Sequence, residues 1–129
     1  MNEQKKKIAI VDDEASFLNI FSKALEGADF EIKCYLGPKE ALINIPTDRP
    51  DLILLDISMP ETDGFQVFEF LKKDFKENMP KVVFLTNLGE TVAGTEIDEH
   101  FATNIGAQGY IKKSEDLDAV IRKIKEQLI

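Results

Sequence analysis

The chain has 129 residues, 43% of them hydrophobic, and its 24 acidic and 16 basic residues give a net charge of −8. This length and composition fit one globular domain with its own core, and the acidic balance argues against binding to nucleic acids or anionic membranes in general. The single cysteine, Cys34, excludes an internal disulfide and is typical of a reducing compartment; we expect it to be a small buried residue. No apolar run approaches the length of a membrane span or of a signal peptide's hydrophobic region, so a cytoplasmic location is predicted.

Two apolar runs in the first half of the chain end on acidic residues. Residues 8–11 are followed by Asp12 and Asp13, and residues 52–55 are followed by Asp56. Neither run alternates with polar residues, so both faces of each strand should be covered, as in a parallel sheet with helices on either side. We therefore predict two buried strands that carry acids at their ends.

Further strands are predicted at residues 30–35, nearer the sheet edge, at residues 81–86, which end in Thr86, and at residues 108–113. The spacing of apolar residues predicts helices over 15–27, 38–45, 65–75, 97–105 and 115–128, with Pro46 following the second and a loop over 87–95. Ser114 is expected to cap the last helix, and the predicted buried stripe of that helix consists of Leu117, Ile121, Ile124 and Leu128.

This alternation of strands and helices predicts a single-domain α/β fold: a five-stranded parallel sheet in the order 2-1-3-4-5, with helices on both faces, of the flavodoxin-like kind. That order sets the first and third strands side by side. Asp12, Asp13 and Asp56 would then converge at the carboxyl edge of the sheet, where such folds bind ligands.

Three converging carboxylates repel one another and stay ionised most readily when they hold a cation. Their hard oxygen ligands suit Mg²⁺. The hydroxyl of Thr86 and an ammonium group, from Lys112 or Lys113, would lie at the same edge, where they could bind the oxygens of a phosphoryl group on Asp56.

These residues resemble the receiver domain of two-component response regulators over essentially the whole chain. The resemblance comprises five pieces in order: Val11-Asp12-Asp13-Glu14, Leu55-Asp56 with Met59-Pro60, Asp63-Gly64, Thr86, and the segment from Tyr110 to Lys113. It departs from the family pattern at Ser114, where a proline is usual, and in the segment 86–110, which is a few residues longer than usual.

The resemblance implies that Asp56 is a phosphoacceptor that takes its phosphoryl group from a histidine kinase or a histidine phosphotransfer protein. Asp13, Asp56 and the backbone carbonyl of Ser58 would bind Mg²⁺, and Asp12 would complete the metal site by orienting a metal-bound water or contributing indirectly. Such a protein is a signalling phosphoacceptor and catalyses only its own phosphorylation and dephosphorylation.

The family pattern also implies roles at the last two strands. Lys113 lies three residues past Tyr110 and is the expected phosphoryl-binding lysine, with Lys112 as the fallback. Thr86 and Tyr110 would form the switch that reshapes the face of the fourth helix, fifth strand and fifth helix for a downstream protein partner, with homodimerisation on phosphorylation as a further outcome. We expect one receiver domain over residues 1–129, with a core from about 6 to 128, and no output domain.

Two other functions compete with this interpretation. An aspartyl-nucleophile hydrolase would need a second Asp two residues after Asp56, where Ser58 stands. A phosphorylation-independent adaptor on the same scaffold would have no need for Asp13, Asp56, Thr86 and Lys113 together. His100, the only histidine, is expected to be structural.

Overall fold

Five parallel strands form the central sheet of the computed structural model, which describes residues 5–59, 62–87, 91–92, 95–96 and 105–128. The strands of this part of the chain are β1 (Lys7–Asp12), β2 (Glu31–Leu36), β3 (Leu52–Asp56), β4 (Lys81–Thr86), β5 (Thr91–Val92), β6 (Thr95–Glu96) and β7 (Gly109–Lys112). The sheet order is β2-β1-β3-β4-β7, which confirms the predicted order 2-1-3-4-5. β5 and β6 pair with each other in antiparallel fashion.

The helices cover both faces of the sheet, as predicted. They are α1 (Ala15–Gly27), α2 (Pro38–Asp48), α3 (Gly64–Phe75) and α4 (Leu117–Gln127), with a short 3₁₀ helix at Lys76–Asn78. Residues of α2 and α3 pack into one hydrophobic cluster against the sheet, and residues of α1 and α4 pack into the other. None of the described helices has the length and apolar content needed to cross a bilayer.

The position of β3 follows from its sequence. All five of its residues are buried, because β1 and β4 flank it and a helical layer covers each face. In β2, by contrast, Tyr35 is buried and most of its neighbours are exposed, as expected for an edge strand. The buried strands are therefore the ones that carry unbroken apolar runs.

Three local predictions were wrong, and a fourth falls on residues that the structure does not describe. Pro46 lies inside α2, which continues to Asp48. Part of the predicted loop over 87–95 forms the β5–β6 pair. Cys34 is exposed, because it lies on the edge strand β2. The predicted fourth helix falls largely on residues 97–104, including His100, which lie outside the described residues.

The C-terminal helix α4 differs from its prediction in its cap and at one position of its buried face. Asp116, rather than Ser114, is the N-cap, and its carboxylate accepts a hydrogen bond from the backbone N–H of Ala119 at 3.3 Å. The fully buried positions are Val120 and Ile124, whereas Leu117 is 38% exposed. Of the predicted stripe, Ile124 is therefore confirmed, and Ile121 and Leu128 are partly buried against the cluster of α1 and α4; only Leu117 was wrong, because it is the first residue of the helix.

The cap assignment predicts unequal effects for two neighbouring substitutions. Asp116→Ala should lower the free energy of unfolding by about 1 kcal/mol, because a helix N–H loses its acceptor. Ser114→Ala, the matched control, should change it by less than about 0.5 kcal/mol. Urea denaturation measures both, and the reverse ranking would assign the cap to Ser114.

Candidate functional site

Polar side chains are buried where three neighbouring strands of the sheet end. Asp12, Asp56 and Thr86 are the last residues of β1, β3 and β4, and they are 0%, 1% and 3% exposed. Parallel pairing of β3 with β1 on one side and β4 on the other brings these ends to one edge of the sheet. A buried carboxylate costs free energy unless it is compensated, so two buried acids at one edge indicate a site with a charge-dependent role.

Asp13 completes an acidic cluster at this edge. One carboxylate oxygen from each of Asp12, Asp13 and Asp56 can be chosen so that all three lie within 4.8 Å of one another, with Asp13 on the exposed side. Three hard oxygen donors at this spacing match the chemistry of Mg²⁺, which binds few protein carboxylates and retains water or phosphate oxygens as further ligands. The residues present therefore fit the metal that the sequence predicts.

Lys113 supplies the positive charge inside this cluster. Its Nζ lies 2.7 Å from Asp12 Oδ2, 3.1 Å from Glu14 Oε1 and 3.5 Å from Asp56 Oδ1, and its side chain is only 8% exposed. Burial alone would lower the pKa of Lys113, but the hydrogen bond to Asp12 and the charge of Asp56 outweigh it and raise that pKa. The ammonium is therefore fully charged at neutral pH.

Lys112 and Lys113 occupy different environments, although they are neighbours in sequence. The ammonium of Lys113 contacts Asp12, Glu14 and Asp56, whereas Lys112 is the last residue of β7, pairs in register with Thr86 and directs its backbone N–H to Glu115 at 3.5 Å. Of the two alternatives that the sequence left open, Lys113 is the one whose geometry suits an acidic site. Its role in phosphoryl binding stays a prediction.

Backbone N–H groups hold the two buried acids in place. Glu14 N donates to Asp12 Oδ1 at 2.9 Å, and Ser58 N donates to Asp56 Oδ1 at 3.3 Å. Burial raises the pKa of Asp12, and the hydrogen bonds from Lys113 and from Glu14 N partly offset this rise. That the Ser58 carbonyl binds metal stays a prediction.

Thr86 and Tyr110 lie on adjacent strands, as the predicted switch requires. Thr86 Oγ1 donates a hydrogen bond to the carbonyl of Asn87 at 3.0 Å, and the backbone N–H of Lys113 donates to the Thr86 carbonyl at 2.8 Å. Tyr110 pairs with Phe84 across β4 and β7 and is half-buried against the cluster under α2 and α3. Their switching role is not tested by this geometry.

Sequence reasoning missed a backbone contact at Gly64. A Cβ added there would lie 2.3 Å from the carbonyl oxygen of Asp56 and 2.9 Å from Ile57 Cα, and Gly64 N donates to the Ile57 carbonyl at 2.8 Å. The first residue of α3 therefore packs directly on the backbone that carries Asp56. In the sequence, Asp63-Gly64 is only one piece of the family resemblance; in the structure Asp63 also caps α3, and its carboxylate accepts a hydrogen bond from Gln66 N at 3.0 Å.

Gly64→Ala is expected to destabilise the protein by about 1–3 kcal/mol, because the added methyl group forces α3 away from Asp56. Gly27→Ala is the matched control, since a Cβ there meets nothing within 4 Å. That control should be neutral or slightly stabilising. Thermal or urea unfolding of both variants checks the contact, and equal effects would contradict it.

Comparison with known proteins gives the family. A family model described as the response regulator receiver domain matches residues 8–125. The probable transcriptional regulator ycf27 of Porphyra purpurea is 35% identical over an alignment of 127 residues that covers 96% of this chain and 49% of that protein. The transcriptional regulatory protein CrdR of Helicobacter pylori is 32% identical over 121 residues, 94% of this chain and 54% of that protein. The chain thus spans about half the length of these curated relatives.

Solved structures agree with this assignment. The CheY-like response regulator receiver domain protein of Methanospirillum hungatei JF-1 is similar to this chain with a TM-score of 0.79 at 30% identity, covering 97% of this chain and 94% of that one. Receiver domains are signalling domains, and an acidic pocket for Mg²⁺ is typical of them. The strand-end acids, the buried lysine and the matched family model lead to one conclusion: the chain belongs to the response regulator receiver domain family.

Proposed function

We propose that Asp56 accepts a phosphoryl group from a phosphohistidine of a histidine kinase or histidine phosphotransfer protein, and that the product controls binding to a downstream protein partner. The observation that carries the proposal is a carboxylate 1% exposed at the end of β3, with the Lys113 ammonium 3.5 Å away and two further acids beside it. This arrangement joins a nucleophile to the positive charge that a phosphoryl group needs.

Transfer of the phosphoryl group replaces a P–N bond of the donor with a P–O bond to Asp56. A carboxylate oxygen of Asp56 attacks phosphorus and forms a P–O bond, while the P–N bond of phosphohistidine breaks and its electron pair returns to the imidazole, which takes up a proton. The product is an acyl phosphate. Attack of water on phosphorus then breaks the P–O bond and returns the Asp56 carboxylate with release of inorganic phosphate.

Each chain residue has a defined task in this proposal. Lys113 is close enough to Asp56 to move its ammonium onto a phosphoryl oxygen, and Asp12 holds that ammonium beforehand. Asp12, Asp13, Asp56 and the Ser58 carbonyl would hold Mg²⁺, which supplies positive charge that offsets the phosphoryl oxygens.

Thr86 and Tyr110 would transmit the change. The Thr86 hydroxyl must give up its hydrogen bond to the Asn87 carbonyl to bind a phosphoryl oxygen, and half-buried Tyr110 would turn inward as Thr86 moves. This shifts a pre-existing equilibrium of the face around β7 and α4. Identical amide NMR spectra of that face with and without a beryllofluoride phosphoryl mimic would contradict the switch.

A phosphorylation-independent adaptor on the same fold is the alternative. It gains nothing from burying Asp12 and Asp56 beside each other, because two buried carboxylates cost free energy that an apolar pair would not. The burial of these acids around one lysine therefore favours the phosphoacceptor.

The proposal is tested by incubating the protein with Mg²⁺ and acetyl phosphate and recording its intact mass. We expect one added phosphoryl group, absent when the metal is chelated and lost on treatment with hydroxylamine, which cleaves acyl phosphates. If the protein neither forms the adduct nor binds beryllofluoride, the phosphoacceptor proposal is contradicted and the adaptor is favoured.

A further inference from the structure

We propose that Phe17 is a positioning residue for Lys113, and that its ring fixes the place of the lysine ammonium before a phosphoryl group reaches Asp56. The Lys113 Nζ lies over the Phe17 ring, 4.8 Å from its centroid, and 2.7 Å from Asp12 Oδ2. The inference rests on the proposed phosphoacceptor function of Asp56.

The Phe17 ring is itself held in place by the core. Phe17 lies in the first turn of α1 and stacks on Phe21, with ring centroids 4.9 Å apart and ring planes at 22°. Phe21 is 3% exposed and belongs to the hydrophobic cluster under α1 and α4. A ring stacked on a buried partner has a fixed face, and a fixed face restricts the cation beside it.

The contacts of the ammonium show what this restriction does. Its shortest contact is with Asp12, at 2.7 Å, whereas Asp56 lies at 3.5 Å, beyond the usual length of a charge-assisted hydrogen bond, about 2.7–2.9 Å. The lysine is therefore held next to Asp56 without a short bond to the oxygens that must react. An aromatic face adds attraction without an oxygen acceptor that would compete with an incoming phosphoryl group.

Glu14 also contacts the ammonium, at 3.1 Å, but it is the weaker candidate for this role. Its side chain is 56% exposed, so water and salt screen its charge. Phe17, by contrast, is partly buried and packs against the hydrophobic cluster under α1 and α4. A free lysine side chain also loses much rotamer freedom when it is ordered, and the ring imposes that order in advance.

The substitution Phe17→Leu distinguishes the effect of the aromatic face from the effect of the apolar volume of the side chain. Leucine keeps a large apolar side chain and a good helix former at this position but offers no π face. We expect Phe17→Leu to weaken binding of beryllofluoride, in the presence of Mg²⁺, by roughly three- to tenfold. Phe17→Tyr keeps the ring and should restore wild-type affinity.

A double-mutant cycle distinguishes positioning from simple packing. Affinity for beryllofluoride is measured from amide NMR titrations, which suit a chain that has no tryptophan, for wild type, Phe17→Leu, Lys113→Ala and the double variant. If the ring acts through the lysine, Phe17→Leu should change affinity by less than about twofold once Lys113 is alanine. An equal loss in both backgrounds, or no loss in the wild-type background, would overturn the inference.

A second readout needs neither metal nor phosphoryl mimic. The ¹⁵N-ammonium NMR signal of Lys113, assigned by its absence in Lys113→Ala, should be sharp in wild type and in Phe17→Tyr and weakened by exchange with water in Phe17→Leu. An unchanged signal in Phe17→Leu would overturn the positioning role alone. Failure of the wild type to bind beryllofluoride, with a signal that still depends on Phe17, would overturn the proposed function and leave the positioning of Lys113 supported.

Discussion

Replacing Asp56 with asparagine is expected to abolish uptake of a phosphoryl group from acetyl phosphate. An amide oxygen lacks the negative charge of the nucleophile, while the side chain keeps its shape. The substitution also removes one of two buried carboxylates at this edge, so the variant should be at least as stable as wild type in the absence of metal. Loss of the adduct would therefore report lost chemistry in a folded protein.

Intact mass and thermal unfolding of the same samples provide the measurement. Asp51→Asn is the matched control: it changes an exposed acid immediately before β3, the strand that Asp56 ends, and should take up one phosphoryl group as wild type does. An adduct on Asp56→Asn would place the acceptor on another residue and contradict the proposed function. Loss of the adduct in both variants would point to a general effect on the sheet.

Lys113→Met is expected to destabilise the metal-free protein by about 3 kcal/mol at neutral pH, the lower end of the range for breaking a buried ion pair. Methionine fills similar space, but Asp12, which is 0% exposed, loses its cation at 2.7 Å, and Asp56 loses a positive charge at 3.5 Å. The hydrogen bond from Glu14 N to Asp12 remains, which is why the lower end is expected.

Urea denaturation measures this loss against Lys112→Met, the same substitution one residue earlier. The control should change the free energy of unfolding by less than about 0.5 kcal/mol, because its ammonium is not the one that contacts the acids. Adding Mg²⁺ should recover part of the loss in Lys113→Met, since a divalent cation also offsets the carboxylates. Equal losses for the two lysines would contradict the assignment of Lys113 to the site.

The same variant gives a pH dependence with a definite sign. Burial raises the pKa of Asp12 in the folded protein, so its contribution to stability is present at low pH and is lost as pH rises through the folded pKa. Without Lys113 that pKa should rise further. The difference between wild type and Lys113→Met should therefore be smaller at about pH 5 than at about pH 7.

Much of the sheet and of the acidic cluster could be predicted from local sequence. The apolar runs that end at Asp12, Asp56 and Thr86 specify buried strands, and parallel pairing brings the ends of such strands to one edge. Each buried strand and the acid at its end depend on residues that are contiguous in the chain, so a pattern of a few residues is enough to predict them.

Contacts between distant segments were less predictable. The tight approach of Gly64 to the Asp56 carbonyl, and the ring of Phe17 beside Lys113, join residues from different elements, and Phe17 looked only like part of the apolar face of a helix. The predicted cap of α4 was wrong because serine and aspartate are both good N-cap residues. The choice between Ser114 and Asp116 depends on the path of the chain between the end of β7 and the helix.

The sequence by itself determined the buried strands, their order in the sheet and the acids that they carry, because hydrophobic periodicity and short connections restrict a chain of alternating strands and helices to few topologies. Only the tertiary structure decided which of two adjacent lysines faces those acids. It placed the Lys113 ammonium 2.7 Å from Asp12 and 3.5 Å from Asp56, because Lys113 follows the end of β7 and its surroundings come from segments distant in the sequence, among them the Phe17 ring of α1.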